Sequence, residues 1–402
     1  MDLYVLDENF QNNISIDAFT SLIWTERYSD AGDFSLTVPA TPSNFGLLEI
    51  DTKLGLVDSE ESMIINTQSV ASDLLTVTGK SIIDIFNQRP AKVNPKIGIN
   101  TYTVSTSPSQ AIASIVTEMT TLSDLSSLGL PPAYLGVDVG LKPQEQISNL
   151  TVVNLDTDTT AQLIDVSTAD VFSIIQTLAV NYGKGIKLVV TGKSSIGHSL
   201  VFTVYVGKDR TSDQTTYPLV RFSPGNKSFV NTTELYSKQN FKNICYVYAS
   251  SMPTTVTITD PATGDQSDES INPRMGYGYL DGADTLTDFD RRVVFVDDTD
   301  FNISNYDANL SDGTTIATLE ALIATELDNY AFNVLWNYAY TKAVDGEVVP
   351  QSPYKYGTDY FLGDVIELQG ASGIVQKARV TEYIRSQDTT GEKAYPTVAV
   401  IT

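Results

Sequence analysis

Residues 14–41, ISIDAFTSLIWTERYSDAGDFSLTVPAT, alternate apolar and polar side chains on both sides of a short turn, and the fold class follows from that alternation. Phe34, Leu36 and Val38 alternate with Asp33, Ser35 and Thr37, the period of two that sends one strand face into a core. Pro39 cannot donate to a ladder and ends the run. Upstream, Leu22, Trp24 and Tyr28 share one parity, Ile23, Thr25 and Arg27 share the other, and Ile14, Ile16 and Ala18 alternate with polar neighbours. Ser29-Asp30-Ala31-Gly32 supplies the turn, because Gly32 can take positive φ without Cβ strain and Asp30 can bond its own backbone. An antiparallel hairpin is predicted.

Composition sets the frame around it. A chain of 402 residues is long enough for two or three domains, and 42% hydrophobic with 18% charged residues describes a folded globular protein. Twenty-one Tyr against 2 Trp, with abundant Thr, Ser and Val, leans towards β structure. The balance of 25 basic and 49 acidic residues, net −24, argues against affinity for nucleic acid through phosphate neutralisation. If such a surface lined a channel, it would let DNA slide through without sticking. Cys245 is the only cysteine and lies in an alternating run, so it is expected to be a packed strand residue. MDLYVLDENF lacks the basic and apolar regions of a secretory signal, and the chain has no apolar run of the about 20 residues that span a bilayer.

The ends read as β and the middle as mixed, giving an α+β protein that is predominantly antiparallel. Ser81 to Gln88 carries Ile82, Ile83 and Phe86 at helical spacing, with Pro90 as a stop. Pro108 to Leu122 places Ile112, Ile115, Val116 and Met119 on one helical face. Thr168 to Tyr182 does so with Val171, Ile174, Ile175 and Leu178, between a start at Thr168 or Asp170 and a stop at Gly183. Leu128 to Asn149, Thr151 to Thr160 and Asp260 to Asn272 are expected as surface connections, the last a mobile loop. Strand patterns occupy Ile186 to Val190, Leu200 to Val206, Leu219 to Phe222 and Phe229 to Ile258. A third helix is predicted near 314–340, where Ile316, Leu319, Ile323, Leu327, Tyr330 and Val334 fall at steps of three and four. Its simplest role is packing on its own sheet; the sharper one is contact between subunits. Val365 to Leu368, Val375 to Ile384 and Pro396 to Ile401 suit a closing antiparallel barrel.

Catalytic and metal-binding patterns fail on inspection, so no catalytic, cofactor-binding or metal-ligating residue is assigned and no cofactor is expected. His198 is the only histidine, in Ser194-Ser195-Ile196-Gly197-His198-Ser199, expected as an exposed turn histidine because no motif places a catalytic nucleophile beside it. Gly79-Lys80-Ser81 and Gly192-Lys193-Ser194 imitate the end of a phosphate-binding loop, but its first Gly is replaced by Leu74 and Lys187. Asp298, Asp300, Asn302 and Ser304 have calcium-loop spacing, yet Ile303 stands at the turn Gly and Asn309 at the bidentate Glu, so 298–309 reads as a solvated acidic loop. Asp281 to Asp290, with four Asp, reads the same way. Paired carboxylates for glycoside hydrolysis are too numerous among 49 acids for the sequence to select one pair.

The opening stretch, followed by Met63-Ile64-Ile65 and LTVTGKSIIDIFNQR at Leu75 to Arg89, resembles the N-terminal half of siphovirus tail hub proteins, the tail-tip or baseplate-hub minor tail proteins. The likeness continues through Val201 to Ser223 and into Tyr356 to Pro396, at Asp359, Leu362-Gly363-Asp364, Ala378-Arg379-Val380 and Gly391. It is weaker over about 92–165 and 255–345. The resemblance implies an architecture similar to contractile-tail baseplate hubs and type VI spike hubs. Residues 1–92 would be a first barrel-like tube domain, 93–225 a peripheral α/β domain, and 226–402 a second tube domain with the 314–340 helix inserted. It implies a trimeric ring continuing the tail tube and contacting distal tail, tape measure and receptor-binding or tip proteins, with viral DNA passing through unbound. The expected location is the virion tail tip, with the host cytoplasm during assembly, and no enzymatic activity is expected. Longer relatives carry lytic or fibre domains after the hub region, so a chain stopping at Thr402 is expected to be a hub alone. Tyr277-Gly278-Tyr279 and Tyr354 to Tyr360 suggest one rival, a secreted or surface-displayed carbohydrate-binding, adhesin-like β protein, and a cell-wall glycosidase or peptidase is a third option.

Overall fold

A computed structural model describes residues 1–89, 101–120, 146–167, 170–194, 197–252, 255–259, 263, 266–272, 275–280, 282–297, 316–338, 340–350 and 352–401. Two compact units emerge, one of Met1–Thr232 with Val344–Thr402 and one of Thr233–Ala343. The strands begin with β1 (Leu3–Leu6), β2 (Asn12–Ile16), β3 (Ser21–Arg27), β4 (Asp33–Pro39), β5 (Lys53–Leu56), β6 (Ser62–Ala71) and β7 (Leu74–Ser81). The middle supplies β8 (Thr101–Thr106), β9 (Leu150–Asn154), β10 (Gln162–Ser167), β11 (Gly185–Ser194), β12 (Gly197–Tyr205), β13 (Arg221–Phe222) and β14 (Phe229–Ser237). Then come β15 (Ile244–Tyr248), β16 (Thr255–Thr259), β17 (Gln266–Ser270), β18 (Met275–Tyr279), β19 (Val293–Asp297) and β20 (Thr341–Val348). The last three are β21 (Val365–Gln369), β22 (Val375–Asp388) and β23 (Gly391–Val400). Among the described residues four α-helices accompany them: α1 (Pro42–Leu47), α2 (Pro108–Thr120), α3 (Val171–Asn181) and α4 (Ile316–Leu335).

The predicted hairpin is present, with β3 and β4 pairing antiparallel from Ser21↔Thr37 to Thr25↔Asp33. Leu22, Trp24, Leu36 and Val38 are buried on its core face, each contributing about 1.5–3 kcal/mol. Asp30 Oδ1 accepts from the Ala31 N–H at 2.7 Å. Gly32 serves differently from expectation: its φ is not positive, and a Cβ there would stand 2.5 Å from the Thr25 carbonyl oxygen. The glycine is required by close approach. Upstream, Ile16 is buried on β2 but Ile14 is exposed.

One sheet joins both ends of the chain, in the order β13-β21-β22-β3-β4-β7-β6-β5-β1-β2, with β23 also on β22. The 14 residues of β22 make this possible, because Val375 to Arg379 pair with β21 while Glu382 to Gln387 pair with β3. No ladder closes this sheet into a barrel among the described residues. Its core holds Leu3, Trp24, Leu36, Leu54, Met63 and Val77.

Beside it, α2 and α3 pack with the 3-10 helix Ile82–Gln88 against the sheet β11-β12-β9, burying Ile112, Val116, Ile175 and Phe202. Phe86 and Phe202 meet edge to face at 5.4 Å. Asp170 caps α3 by accepting from the Ser173 N–H at 2.7 Å, and Gly183 follows its end at φ +61°. The expected connection at Thr151 to Thr160 is corrected in its first part: Thr151 to Asn154 pair in parallel with β12. Residues 128–145 of another expected connection lie outside the described residues.

In the second unit β15 pairs with β18 antiparallel and with β19 in parallel, and α4 covers one face through Leu319, Ile323, Leu327, Ala331 and Leu335. The helix packs on its own sheet, but Ala331 replaces Tyr330 in the buried stripe, Tyr330 being exposed. Gln266 to Ser270, expected within a loop, form β17 against β16. Cys245 is buried among the residues facing α4, as its alternation predicts.

Candidate assembly surface

The polar groups singled out in the sequence do not converge on a reactive centre. His198 is not an exposed turn residue: it opens β12, its ring meets Phe10 edge to face at 4.8 Å, and its Nδ1 is buried without a hydrogen-bond partner. Burial pushes the Cys245 thiol up, which disfavours a thiolate. Gly79-Lys80-Ser81 ends β7 and leads into the seven-residue 3-10 helix Ile82–Gln88, with Leu74 in a strand where a phosphate loop needs its first Gly, and Gly192-Lys193-Ser194 ends β11 without a helix after it. Asp284, Asp288 and Asp290 are exposed, while Asp281 and the 298–309 loop lie outside the described residues. Among the described residues no group of three His, Cys, Asp or Glu could hold a metal ion. No described helix is long and apolar enough to cross a membrane.

What the fold does assemble is a buried polar seam where the two chain ends meet. Arg385 of β22 donates from Nη1 to Glu26 Oε1 of β3 at 2.6 Å and from Nη2 to the Asp58 carbonyl at 2.8 Å. Tyr356 stacks on Tyr383 at 3.7 Å and reaches Glu26 Oε2 at 3.4 Å. Glu61 lies alongside with Oε2 buried and unpartnered; burial first, and then the Glu26 charge, push its carboxyl up to about 8. These carboxylates are a pair the sequence could not select, since Glu26 and Glu61 are distant in the chain. At 6% and 8% exposure they form an internal network, closed to a polymeric substrate.

The Leu362-Gly363-Asp364 block is explained by a second cluster. Asp364, 2% exposed, accepts from the Lys208 N–H at 2.7 Å, Arg210 Nε at 2.5 Å and the Phe361 N–H at 3.1 Å. Next to it Glu367 accepts from Ser212 and from Arg221 Nε at 2.5 Å. Burial opposes its charge, but the Ser212 and Arg221 bonds prevail and hold its carboxyl below the usual range. Arg379 donates to the Gly363 carbonyl at 2.9 Å and lies over the Tyr28 ring at 5.4 Å. Each charge-assisted bond is about twice as strong as a neutral one, so together these fix residues 207–221 and 356–364 on the sheet.

Around this rigid seam the sheet presents strand edges. β23 pairs only with β22, and β2 only with β1, so each leaves a row of backbone donors and acceptors without a ladder partner among the described strands. The arrangement can pair with another strand; the buried Glu26, Asp364 and Glu367 are engaged in holding the fold.

The family model for Siphovirus ReqiPepy6 Gp37-like protein matches residues 2–398. No curated protein matches the chain. Similar solved structures include the 43 kDa tail protein of prophage MuSo2 from Shewanella oneidensis, 13% identical with TM-score 0.45, covering 99% of this chain and 98% of that one. The tail protein from Neisseria meningitidis MC58 is 12% identical with TM-score 0.46, covering 100% and 95%. An E. coli component of the type VI secretion system, similar to T4 tail proteins gp27 and gp5, is 10% identical with TM-score 0.39, covering 100% and 77%.

Proposed function

The chain belongs to the Siphovirus ReqiPepy6 Gp37-like protein family, a family of siphovirus tail proteins, and from that premise we propose that it is the hub of the tail tip. In this reading three copies form a ring that continues the tail tube. Residues 1–92 and 226–402 contribute tube domains, and 93–225 a peripheral domain. The observation that carries the reading is the single sheet joining both chain ends, open at β2 and β23 and braced by the buried Arg385–Glu26 pair. An open sheet is a liability to a solitary protein and a template for its neighbours in a closed assembly.

The partners are then a distal tail protein on one side and tape measure, receptor-binding or tip proteins on the other. The location is the virion tail tip, after assembly in the host cytoplasm. A net charge of −24 supports passage of DNA without adhesion. The role is mechanical rather than enzymatic, a reading supported by Glu26, Asp364 and Glu367, which are buried and engaged with Arg385, Arg210 and Arg221. Light scattering of the purified chain tests it: a trimer or larger ring is expected, and a strict monomer at tens of micromolar, alone and with the distal tail protein, overturns it.

A further inference from the structure

The face of the β18-β15-β19 sheet opposite α4 carries an inference that stands whether or not the ring forms. Strand alternation turns Cys245, Val247, Gly276 and Gly278 towards the helix, which leaves Tyr246, Tyr248, Tyr277, Tyr279 and Phe295 on the other side. The register sets Tyr277, Tyr246 and Phe295 side by side in one row. Tyr246 and Tyr277 meet edge to face at 5.4 Å, while Phe295 is 60% and Tyr277 45% exposed. An aromatic row so open is a surface that buries little of its own apolar area.

Charge distinguishes the occupants. Residues 233–343 hold seventeen acidic and six basic side chains. Asp297 lies in the face itself, paired in register with Tyr248, and Asp284 stands near the Tyr279 hydroxyl, which burial and then neighbouring Tyr246 raise while Arg291 lowers it. The Arg291 guanidinium donates to the Tyr246 hydroxyl, so one cation of this chain already stands at the edge of the row beside Tyr246, and the open rings are those of Tyr277 and Phe295. Ring faces attract cations through their quadrupole, and an acidic surround steers and retains them. A second copy or an anionic polymer would bring like charge to the same place.

We propose that this aromatic face docks a basic protein segment, with Lys or Arg side chains over Tyr277 and Phe295 and with Asp297 and Asp284 as counter-charges. The test uses the full chain and a fluorescein-labelled octa-arginine peptide, read by fluorescence anisotropy at low and physiological salt, with octa-glutamate as the control. Tyr277→Ala with Phe295→Ala leaves the net charge untouched, so a change in affinity reports the rings. Loss of two such contacts is expected to weaken binding about tenfold, whereas Trp336→Ala, in the 3-10 turn after α4, leaves it unchanged. Phe295→Ser alone serves as the second variant should the double one fold poorly. Equal affinity of parent and ring variants overturns the proposal, because binding would then belong to the acidic surface at large. A self-association in sedimentation that the ring variants abolish, or binding of a neutral N-acetylglucosamine hexasaccharide that they abolish without a matching loss of octa-arginine, overturns it in favour of a second copy or a glycan.

Discussion

Tyr28 closes over Gly363 so tightly that a Cβ on the glycine would stand 2.1 Å from Tyr28 Cε2. Gly363 also has φ +87°, so a side chain there is strained twice, by backbone and by ring. Gly363→Ala is therefore expected to cost about 3 kcal/mol or more, while Gly357→Ala, at φ +82° with nothing within 4 Å of its Cβ, costs about 1 kcal/mol. Urea unfolding of the full chain measures both. Equal losses would mean that the ring contact contributes nothing.

The Arg385–Glu26 pair predicts an asymmetry between single and double variants. Both partners are under a tenth exposed, so Arg385→Ala strands the Glu26 carboxylate in the interior and is expected to cost about 3–5 kcal/mol. Arg385→Met with Glu26→Gln removes both charges and is expected to recover much of that loss. Unfolding free energies of the two variants decide it. A double variant no better than Arg385→Ala would place the cost in lost packing on Tyr383 and Tyr356.

Glu61 sets a pH dependence of known sign. Its folded carboxyl keeps its proton up to about 8, while in the unfolded chain it ionises in the ordinary carboxylate range near 4.5. Between these limits the unfolded state binds fewer protons, so this group's contribution falls with rising pH by about 1.4 kcal/mol per unit and levels off above 8. Glu61→Gln should match the parent near pH 4.5 and exceed it increasingly up to pH 8. Parallel stability curves for the two proteins would show that Glu61 ionises normally when folded.

Which of these features could be read from the sequence depends on whether the signal was local. The β3–β4 hairpin and the Asp170 cap rest on neighbouring residues, and their patterns were legible. Thr151 to Asn154 is a short half-buried strand that passes at once into the Asp-rich 155–160, and Ser267 to Ser270 are exposed and polar; both are held by ladders rather than by a long apolar alternation, so composition read them as connections. The Glu26, Glu61 and Arg385 network was invisible because its members meet only when β22 joins β3. Leu362-Gly363-Asp364 stood out as a block in the sequence, but its role rests on Tyr28, Lys208 and Arg210, which only folding brings there. Tyr277-Gly278-Tyr279 was read as an aromatic run only; the signal missed was the alternation of Met275 to Tyr279, which places bare glycine on one face and rings on the other.

That alternation yields a final prediction for the second unit. A Cβ on Gly278 would lie 2.5 Å from the Ala331 carbonyl carbon, and one on Gly276 would lie 2.3 Å from that of Leu327. The opposing atoms are helix backbone, which cannot rotate away, so α4 itself must lift from the sheet. Gly278→Ala is expected to cost about 1–3 kcal/mol through overpacking, outweighing the roughly 0.5–1 kcal/mol that Ala usually gains over Gly in a strand. Truncating Leu327 to Ala should not rescue Gly276→Ala, because the clash includes the Leu327 backbone and not only its Cβ. Hydrogen exchange locates the effect: faster exchange in β15 and β18 is expected, with β1 unchanged. Unaltered exchange in β15 would mean that the helix has room to spare and that the two glycines are dispensable.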